Sequence, residues 1–585
     1  MAQYKTPDVY VKERSLLAPS VAEVATAIPA FIGFTQLTAD SKGESSVGKP
    51  YRLTSLAAYE ALFGGAQKEE FKVEYNASTD ECYISSEEQG KADGSDITFY
   101  LYQAISHYFA NGGGACYAIS IGGHDTVKAD MTAKLYMDAI DLLEEVDEVT
   151  LLSAPESVLM DSVAHYSVQN HALQHCEKMK ERFALVDVQQ AAGFNRGELS
   201  VDVATARDQV SSGLQYGAAY YPYVRTTMAR SFNEAEVMVD YSLTLQKLHS
   251  SYASSFVDKN GDDVNEYGQV LDDAGAITGE YAVVYIDVGG SVKVDKMGYA
   301  VAMTADGSVQ RVVDSEPYGI FTDDDGSDYL NHKGFVMSAI DSNDIGTGNI
   351  KKTIATETKP YIASLAYLSE PKWRLASTAL HAKIKAMLGK NYLVLPTSAA
   401  IAGVIAKVDA SRGVWKAPAN VALAKVKEPC VAIDNGEQAD MNVDVIAGKS
   451  INAIRSFIGK GSLVWGARTL KGNDNEWRYI SVRRLFNMIE ESVQKASHFA
   501  VFEPNTPFTW LKLKTMIENY LENLWRQGAL FGETPDAAFF VNVGLGQTMT
   551  EDDINNGLMH IEIGLAAVRP AEFIVLTFSH KSLEG

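Results

Sequence analysis

The chain closes on a strand that has nothing after it to pair with. From Phe573 to His580 the residues alternate, Ile574, Leu576 and Phe578 to one side and Phe573, Val575, Thr577 and Ser579 to the other. Both sides are largely apolar, the pattern of a strand covered on both faces. Pro570 stops whatever precedes it. Such a strand must pair with something already folded or with another chain. A second lone strand stands at the other end, where Val9, Tyr10 and Val11 alternate within YKTPDVYVKER at residues 4–14. Two unpartnered terminal strands predict strand addition between copies, with Val9, Tyr10, Val11, Phe573, Ile574, Val575, Leu576, Thr577 and Phe578 as the exchanging residues. An extended arm of about 20 residues spans ~65 Å, enough to leave its own domain.

The rest of the chain is long enough for several cores. At 585 residues it should hold two to four domains. Residues 1–10 carry no basic stretch followed by an apolar run, so no signal peptide is expected. No stretch reaches the roughly 18 apolar residues of a membrane helix. Synthesis and folding in the cytoplasm, without membrane insertion, are the expectation. Cys82, Cys116, Cys176 and Cys430 lie far apart and form no CxxC pair, which fits a reducing compartment and no structural zinc. The net charge of −24 is unevenly placed. Residues 361–585 hold 24 Lys and Arg against 22 Asp and Glu, while residues 1–360 hold 27 against 53. The acidic balance argues against nucleic acid as a partner. It predicts an acidic part facing water and a near-neutral part engaged in contacts.

Read in order, residues 1–40 form an arm and a first core strand, Ala27 to Phe34. Ser55 to Phe63 is a short helix stopped by Gly64 and Gly65. Residues 68–96 read as a polar surface loop. Asp96 is placed to cap a helix from Ile97 to Ala110, which ends at Asn111-Gly112-Gly113-Gly114 before a strand at Ala115 to Ile121. Helices near 133–145, 160–182 and 201–212 alternate with strands at 148–152, 183–188 and 218–224, so 41–250 reads as an α/β domain. Residues 251–355, rich in Asp, Gly, Ser and Thr, read as a β-rich outer insertion. Residues 356–585 return to a compact mixture, with helices at 481–497 (Leu485, Ile489, Val493 and Ala496 on one face) and 508–526 (Ile517, Tyr520, Leu521 and Leu524). The fold class expected is mixed α/β and multidomain.

No motif makes a positive case for an enzyme. The glycines after Ala110 follow a helix and precede a strand, the reverse of a nucleotide loop. His171 and His175 have i, i+4 chelating spacing beside Cys176, but HExxH is absent and no third ligand follows in register. The acidic run 258–262 resembles the start of a calcium loop but has Asp263 and Gln269 where the loop needs Gly and Glu, and 323–328 is another acidic cluster; both read as solvated turns. Gly448-Lys449-Ser450 imitates the end of a phosphate loop, but Val443 stands where its first glycine belongs. Glu490 and Glu491, adjacent on a helix, point about 100° apart and make a poor acid/base pair. No catalytic residue, cofactor or metal is expected.

From residue 361 onward a specific resemblance emerges. Val394 to Asn420 reads VLPTSAAIAGVIAKVDASRGVWKAPAN, followed by Ile451-Asn-Ala-Ile-Arg455, Val464-Trp-Gly-Ala-Arg-Thr469, Glu476-Trp-Arg-Tyr479, Val482-Arg-Arg-Leu-Phe-Asn487, Ile489-Glu-Glu-Ser492, Val501-Phe-Glu-Pro-Asn505, Leu524-Trp-Arg-Gln-Gly-Ala-Leu-Phe-Gly532 and Pro570-Ala-Glu-Phe573. Nearer the start stand Thr6-Pro7-Asp8-Val9-Tyr10-Val11, Ala30-Phe31-Ile32-Gly33 and Phe109-Ala-Asn-Gly-Gly113. Together these resemble the sheath proteins of contractile phage tails and bacterial contractile injection systems. Asp8 departs from the glycine usual there, and 255–350 is not covered. The resemblance implies an inner sheath core with N- and C-terminal strand-exchange arms. It implies a helical homo-oligomer of stacked rings around an inner tube protein, with baseplate and terminator proteins at its ends. It also implies contraction that drives the tube through a target envelope. Energy would come from a trapped extended state, not from a nucleotide. The competing readings are a tube or baseplate component, and a cytoplasmic α/β enzyme built on 133–225. A phage tail, an extracellular injection device and a type VI-like machine are not distinguished, although a single chain tilts against the two-chain type VI form.

Overall fold

The computed structural model describes residues 21–76, 79–84, 98–191, 194–240, 364–369 and 377–576, together with short strands within 269–330. The chain forms two compact units, each assembled from separated segments. The first takes in Met1–Ala66, Phe99–Met228 and Leu393–Gly585, and the second Gln67–Thr98 and Ala229–Tyr392.

The first unit is organised on a nine-stranded sheet. In spatial order its strands are Pro50–Leu53, Cys116–Gly123, Pro29–Thr35, Leu151–Ser153, Phe183–Asp187, Gly217–Tyr221, Ile451–Phe457, Gly461–Val464 and Val421–Ala422. The central pairs are parallel; the Pro50–Leu53 edge joins by one antiparallel pair, and the opposite edge by two, Ile451–Phe457 with Gly461–Val464 and Gly461–Val464 with Val421–Ala422. Parallel strands need cover on both faces, and Pro29–Thr35, Phe183–Asp187 and Gly217–Tyr221 are buried throughout. Ile451 pairs with Ala219, so early and late parts of the chain share one sheet. Ser398–Arg412 is apolar on all sides over its first nine residues, Ser398 to Ala406, which are all buried, and it packs against Leu101–Ala110. Gly403 permits that approach: a β-carbon there would stand 2.4 Å from the Tyr108 carbonyl oxygen.

A second core of the same unit joins Ile480–Ser497 to Pro507–Arg526 through Leu485, Ile489, Val493, Leu513, Ile517 and Leu521. Both helices sit where their apolar spacing predicts. An antiparallel two-stranded sheet, Phe539–Asn542 with Glu562–Leu565, packs on this core.

In the second unit the expected loop at 68–96 is corrected. Glu69–Asn76 and Glu81–Ile84 are strands, joined in one sheet to Phe232–Asp240. Phe71 and Val73 point inward to Val237, Val239 and the helix Thr378–Leu388, a period-two pattern hidden among acidic neighbours. Antiparallel strand pairs lie within 269–330. The acidic runs 258–262 and 323–328 fall outside the described residues.

One capping arrangement also differs from the expectation. Asp96 lies outside the described residues, and the helix begins at Leu101 rather than Ile97. Its first turn is served from across the fold by Glu156, whose carboxylate accepts from the backbone N–H of Tyr100 (2.6 Å), Leu101 (2.7 Å) and Phe34 (2.7 Å).

Candidate assembly surface at the chain ends

The C-terminal segment leaves the body in two steps. Among the described residues, its last backbone ties run from Ala566 N–H to the Ala538 carbonyl (2.9 Å) and from Val568 N–H to the Ala529 carbonyl (3.3 Å). It is then caught once more, by a side chain. Glu572 accepts a forked pair from Arg468, Nε to Oε1 at 2.9 Å and Nη2 to Oε2 at 2.6 Å. Asn442 Nδ2 adds a bond at 2.8 Å and the Tyr479 hydroxyl one at 3.4 Å. Arg468 is buried and also donates to the Asn442 carbonyl at 3.1 Å. Burial pushes the Glu572 carboxyl up, but the bonds from Arg468 and Asn442 outweigh it and hold it below the usual range.

Beyond that clamp the four described residues are bare. Phe573, Ile574, Val575 and Leu576 are 72, 78, 86 and 72 % exposed and have no regular secondary structure. Among the described residues, Phe573–Leu576 of the alternation that predicts a strand here pair with no other strand. Of the other residues named for strand exchange, Val9, Tyr10, Val11, Thr577 and Phe578 lie outside the described residues.

The N-terminal root is clamped in a parallel way. Arg484, buried, donates to both carboxylate oxygens of Asp409 and, through Nη2, to the Thr26 carbonyl at 2.6 Å. Thr26 Oγ1 donates to Asp409 Oδ2 at 2.7 Å. Val24 N–H reaches Ser492 Oγ at 3.2 Å, and Ile28 N–H reaches Thr150 Oγ1 at 2.9 Å. Val21 and Val24 rest on the core of the two long helices. Sequence reasoning missed Glu572, Arg468, Arg484 and Asp409 as a group. All four stand inside the family-like stretches, but nothing in their spacing announces the pairing.

The small sheet Phe539–Asn542/Glu562–Leu565 has two strands. Phe540 is half-exposed, and its ring lies over Gly564, where a β-carbon would meet it at 2.1 Å. Phe531, Phe502, Phe508 and Leu511 are also exposed in this region of the sequence. A strand laid along an open edge of such a sheet gains backbone hydrogen bonds and covers apolar side chains together.

The arrangements that imitate chemistry each have hydrogen-bond or ion-pair partners within the fold. Ser157 Oγ lies 2.9 Å from His165 Nδ1, and His165 Nε2 lies 2.9 Å from the Asp187 carbonyl oxygen. All three residues are fully buried, and burial pulls the imidazole down to about 4. The Asp187 carboxylate is engaged elsewhere, accepting from the N–H groups of Thr397 and Ser398 and from the Ser398 hydroxyl. His175 Nε2 accepts from Arg182 at 2.9 Å, which fixes its tautomer and sets a cation beside it, while His171 faces Asp141 at 2.7 Å. The two histidines thus serve separate partners. Lys449 donates to the Arg207 carbonyl and Ser450 to the Asn442 carbonyl, which ties both into a turn. Glu490 pairs with Arg483 at 3.0 Å, and Glu491 with Lys495 at 2.6 Å.

Known proteins match this chain in a consistent way. Residues 472–581 match the phage tail sheath C-terminal domain. The tail sheath protein of Vibrio phage KVP40 is 28% identical over 138 residues, 23% of this chain and 20% of that protein. The match thus spans about a fifth of that relative's length. The contracted helical sheath of the anti-feeding prophage is similar over 99% of this chain and 100% of its own, at 26% identity and a TM-score of 0.53. A chain of the anti-feeding prophage baseplate structure is similar over the same shares, at 27% identity and a TM-score of 0.52. The resemblance to contractile tail sheath proteins holds along the whole chain, and so does the expected mixed, multidomain fold.

Proposed function

We propose that this chain is the structural subunit of a contractile sheath. Copies polymerise as stacked rings around an inner tube and shorten to drive the tube through a target envelope. The observation that carries the reading is the full-length similarity to a contracted sheath subunit, joined to a C-terminal end that leaves its clamp with four bare apolar residues. The exchanging residues are Val9, Tyr10 and Val11 at one end and Phe573 to Phe578 at the other. The edges of the Phe539–Asn542/Glu562–Leu565 sheet in a neighbouring copy are the acceptor. The mesh tolerates rotation because the arms bend while the ladders persist. The subunit catalyses no reaction, and the inner tube, baseplate and terminator proteins are its partners. The particle is assembled in a bacterial cytoplasm and belongs to a phage tail or an injection device. The equally complete similarity to a baseplate-structure chain favours a second placement, with some copies seated on the baseplate.

Electron microscopy of the full-length chain, with and without its tube protein, tests the reading. Hollow, helically striated cylinders are expected from the full-length chain. Deletion of residues 1–14 or of residues 573–585 should leave folded protein that does not polymerise. Cylinders persisting in both deletions would overturn strand exchange, and monodisperse full-length chain beside its tube would overturn the sheath reading.

A further inference from the structure

The two clamps meet on one helix. Tyr479 immediately precedes Ile480–Ser497, and its hydroxyl faces Glu572. Its backbone bridges Arg468, with Thr469 N–H bonded to the Arg478 carbonyl (2.8 Å) and Ile480 N–H to the Ala467 carbonyl (3.0 Å). Five residues on, Arg484 grips Asp409 and Thr26. Two turns further, Ser492 accepts from Val24. From Tyr479 to Ser492 the helical rise is about 20 Å. Between these points the helix is fastened to the body. Arg483 lies 4.1 Å from the Trp477 ring and 5.0 Å from the Tyr216 ring, and its Nε donates to Asn487 Oδ1 at 2.6 Å. Asn487 Nδ2 in turn donates to the Arg182 carbonyl at 3.1 Å. Leu485, Ile489 and Val493 fill the core beneath.

We infer that Ile480–Ser497 is a shared strut that couples the roots of the two chain ends, so that loosening one root loosens the other. Each root is held by a buried guanidinium acting on a carboxylate, contacts that are strong when whole and poorly tolerant of partial loss. Each guanidinium is in turn positioned by the strut or by the residue that starts it. A pull on the C-terminal end acts through Glu572 on Arg468 and Tyr479, and so on the first turn of the helix. A pull on the N-terminal end acts through Thr26 and Val24 on Arg484 and Ser492. Within a polymer linked by its arms, tension would cross each subunit along one helix, and this mechanical meaning rests on the sheath reading. The coupling itself belongs to the single chain.

Hydrogen exchange by mass spectrometry on the unpolymerised full-length chain tests it, apart from whether cylinders form. Glu572→Gln keeps the shape and removes the charge of one clamp. Thr26→Val removes one bond of the other and leaves both arginines in place. Glu572→Gln is expected to speed exchange roughly tenfold, both at residues 568–572 and at the distant amides of Val24 and Ile28. Thr26→Val is expected to speed exchange at Tyr479 and Ile480 as well as at its own site. Leu185, in the central strand Phe183–Asp187, reports opening of the whole unit and should keep its wild-type rate. Acceleration confined to the substituted end would overturn the coupling. Equal acceleration at Leu185 would also overturn it, because the route would then be global unfolding.

Discussion

Glu156 shows how a single buried residue can organise a fold and still leave a measurable mark. Its carboxylate gathers three N–H groups from a strand end and a helix start, and no water reaches it. Burial pushes the carboxyl up to about 7, against the bonds from Phe34, Leu101 and Tyr100, which pull it down. An unfolded glutamate releases its proton near 4.3. Between those values the folded chain binds more protons than the unfolded one, so this group's contribution to stability falls as pH rises. Glu156→Gln removes that dependence and turns an amide N–H toward one of the three donors. The variant should therefore be destabilised throughout. Its deficit relative to wild type should be larger at pH 5 than at pH 7.5, by about 2 kcal/mol, the part of the shift that falls between those pH values. Urea unfolding of both proteins at the two pH values measures it. Asp187, also buried and pushed up to about 6, acts in the same sense, so the effect is isolated only by comparing the two chains.

At the scale of elements, the long helices carry the C-terminal core by shape. Leu521 is fully buried between the Pro507–Arg526 helix and its neighbours. Leu521→Ala should destabilise that core by about 2–5 kcal/mol, read as a lower urea midpoint. These helices were legible because their apolar residues recur at 3.6-residue spacing over many turns. Ser55 caps its short helix, and Gly64 ends it at φ 77°, because both use local chemistry that a sequence displays. The strands at 69–84 were not legible, since Phe71, Val73 and Tyr75 alternate with glutamates and lysine in a segment whose average character is polar. The cap of the Leu101 helix was not legible either, because its acceptor is 55 residues away in sequence. The site divides in the same manner. The apolar ends stand out from the sequence, while the arginine clamps behind them depend on pairs 75 and 104 residues apart that only folding brings together.

At the scale of the whole molecule, function on the proposed reading lies at the ends of the chain and stability lies between them. Removing residues 573–585 should leave the melting temperature of the unpolymerised chain within about 2 °C of wild type, since the exposed side chains of Phe573–Leu576 contribute little to the fold. Differential scanning calorimetry beside electron microscopy checks that stability and assembly separate. A drop of several degrees would mean that the end is part of the fold after all. The second unit bears on a different matter. The strand Val224–Ala229 runs beside Tyr392–Leu395, Thr226 Oγ1 donates to the Leu393 carbonyl at 2.8 Å, and Arg230 N–H meets the Asn391 carbonyl at 3.1 Å. The chain therefore departs at 229 and returns at 392 through neighbouring, hydrogen-bonded strands. The stretch between Asp240 and Ser364, which follows the strand paired with Glu69–Asn76, can lengthen, shrink or be replaced without moving the place where the main frame resumes. Across descendants of one ancestral gene, that doorway would let the intervening sequence drift rapidly while the sheet around it stays constant. It also marks where a foreign domain could be spliced in.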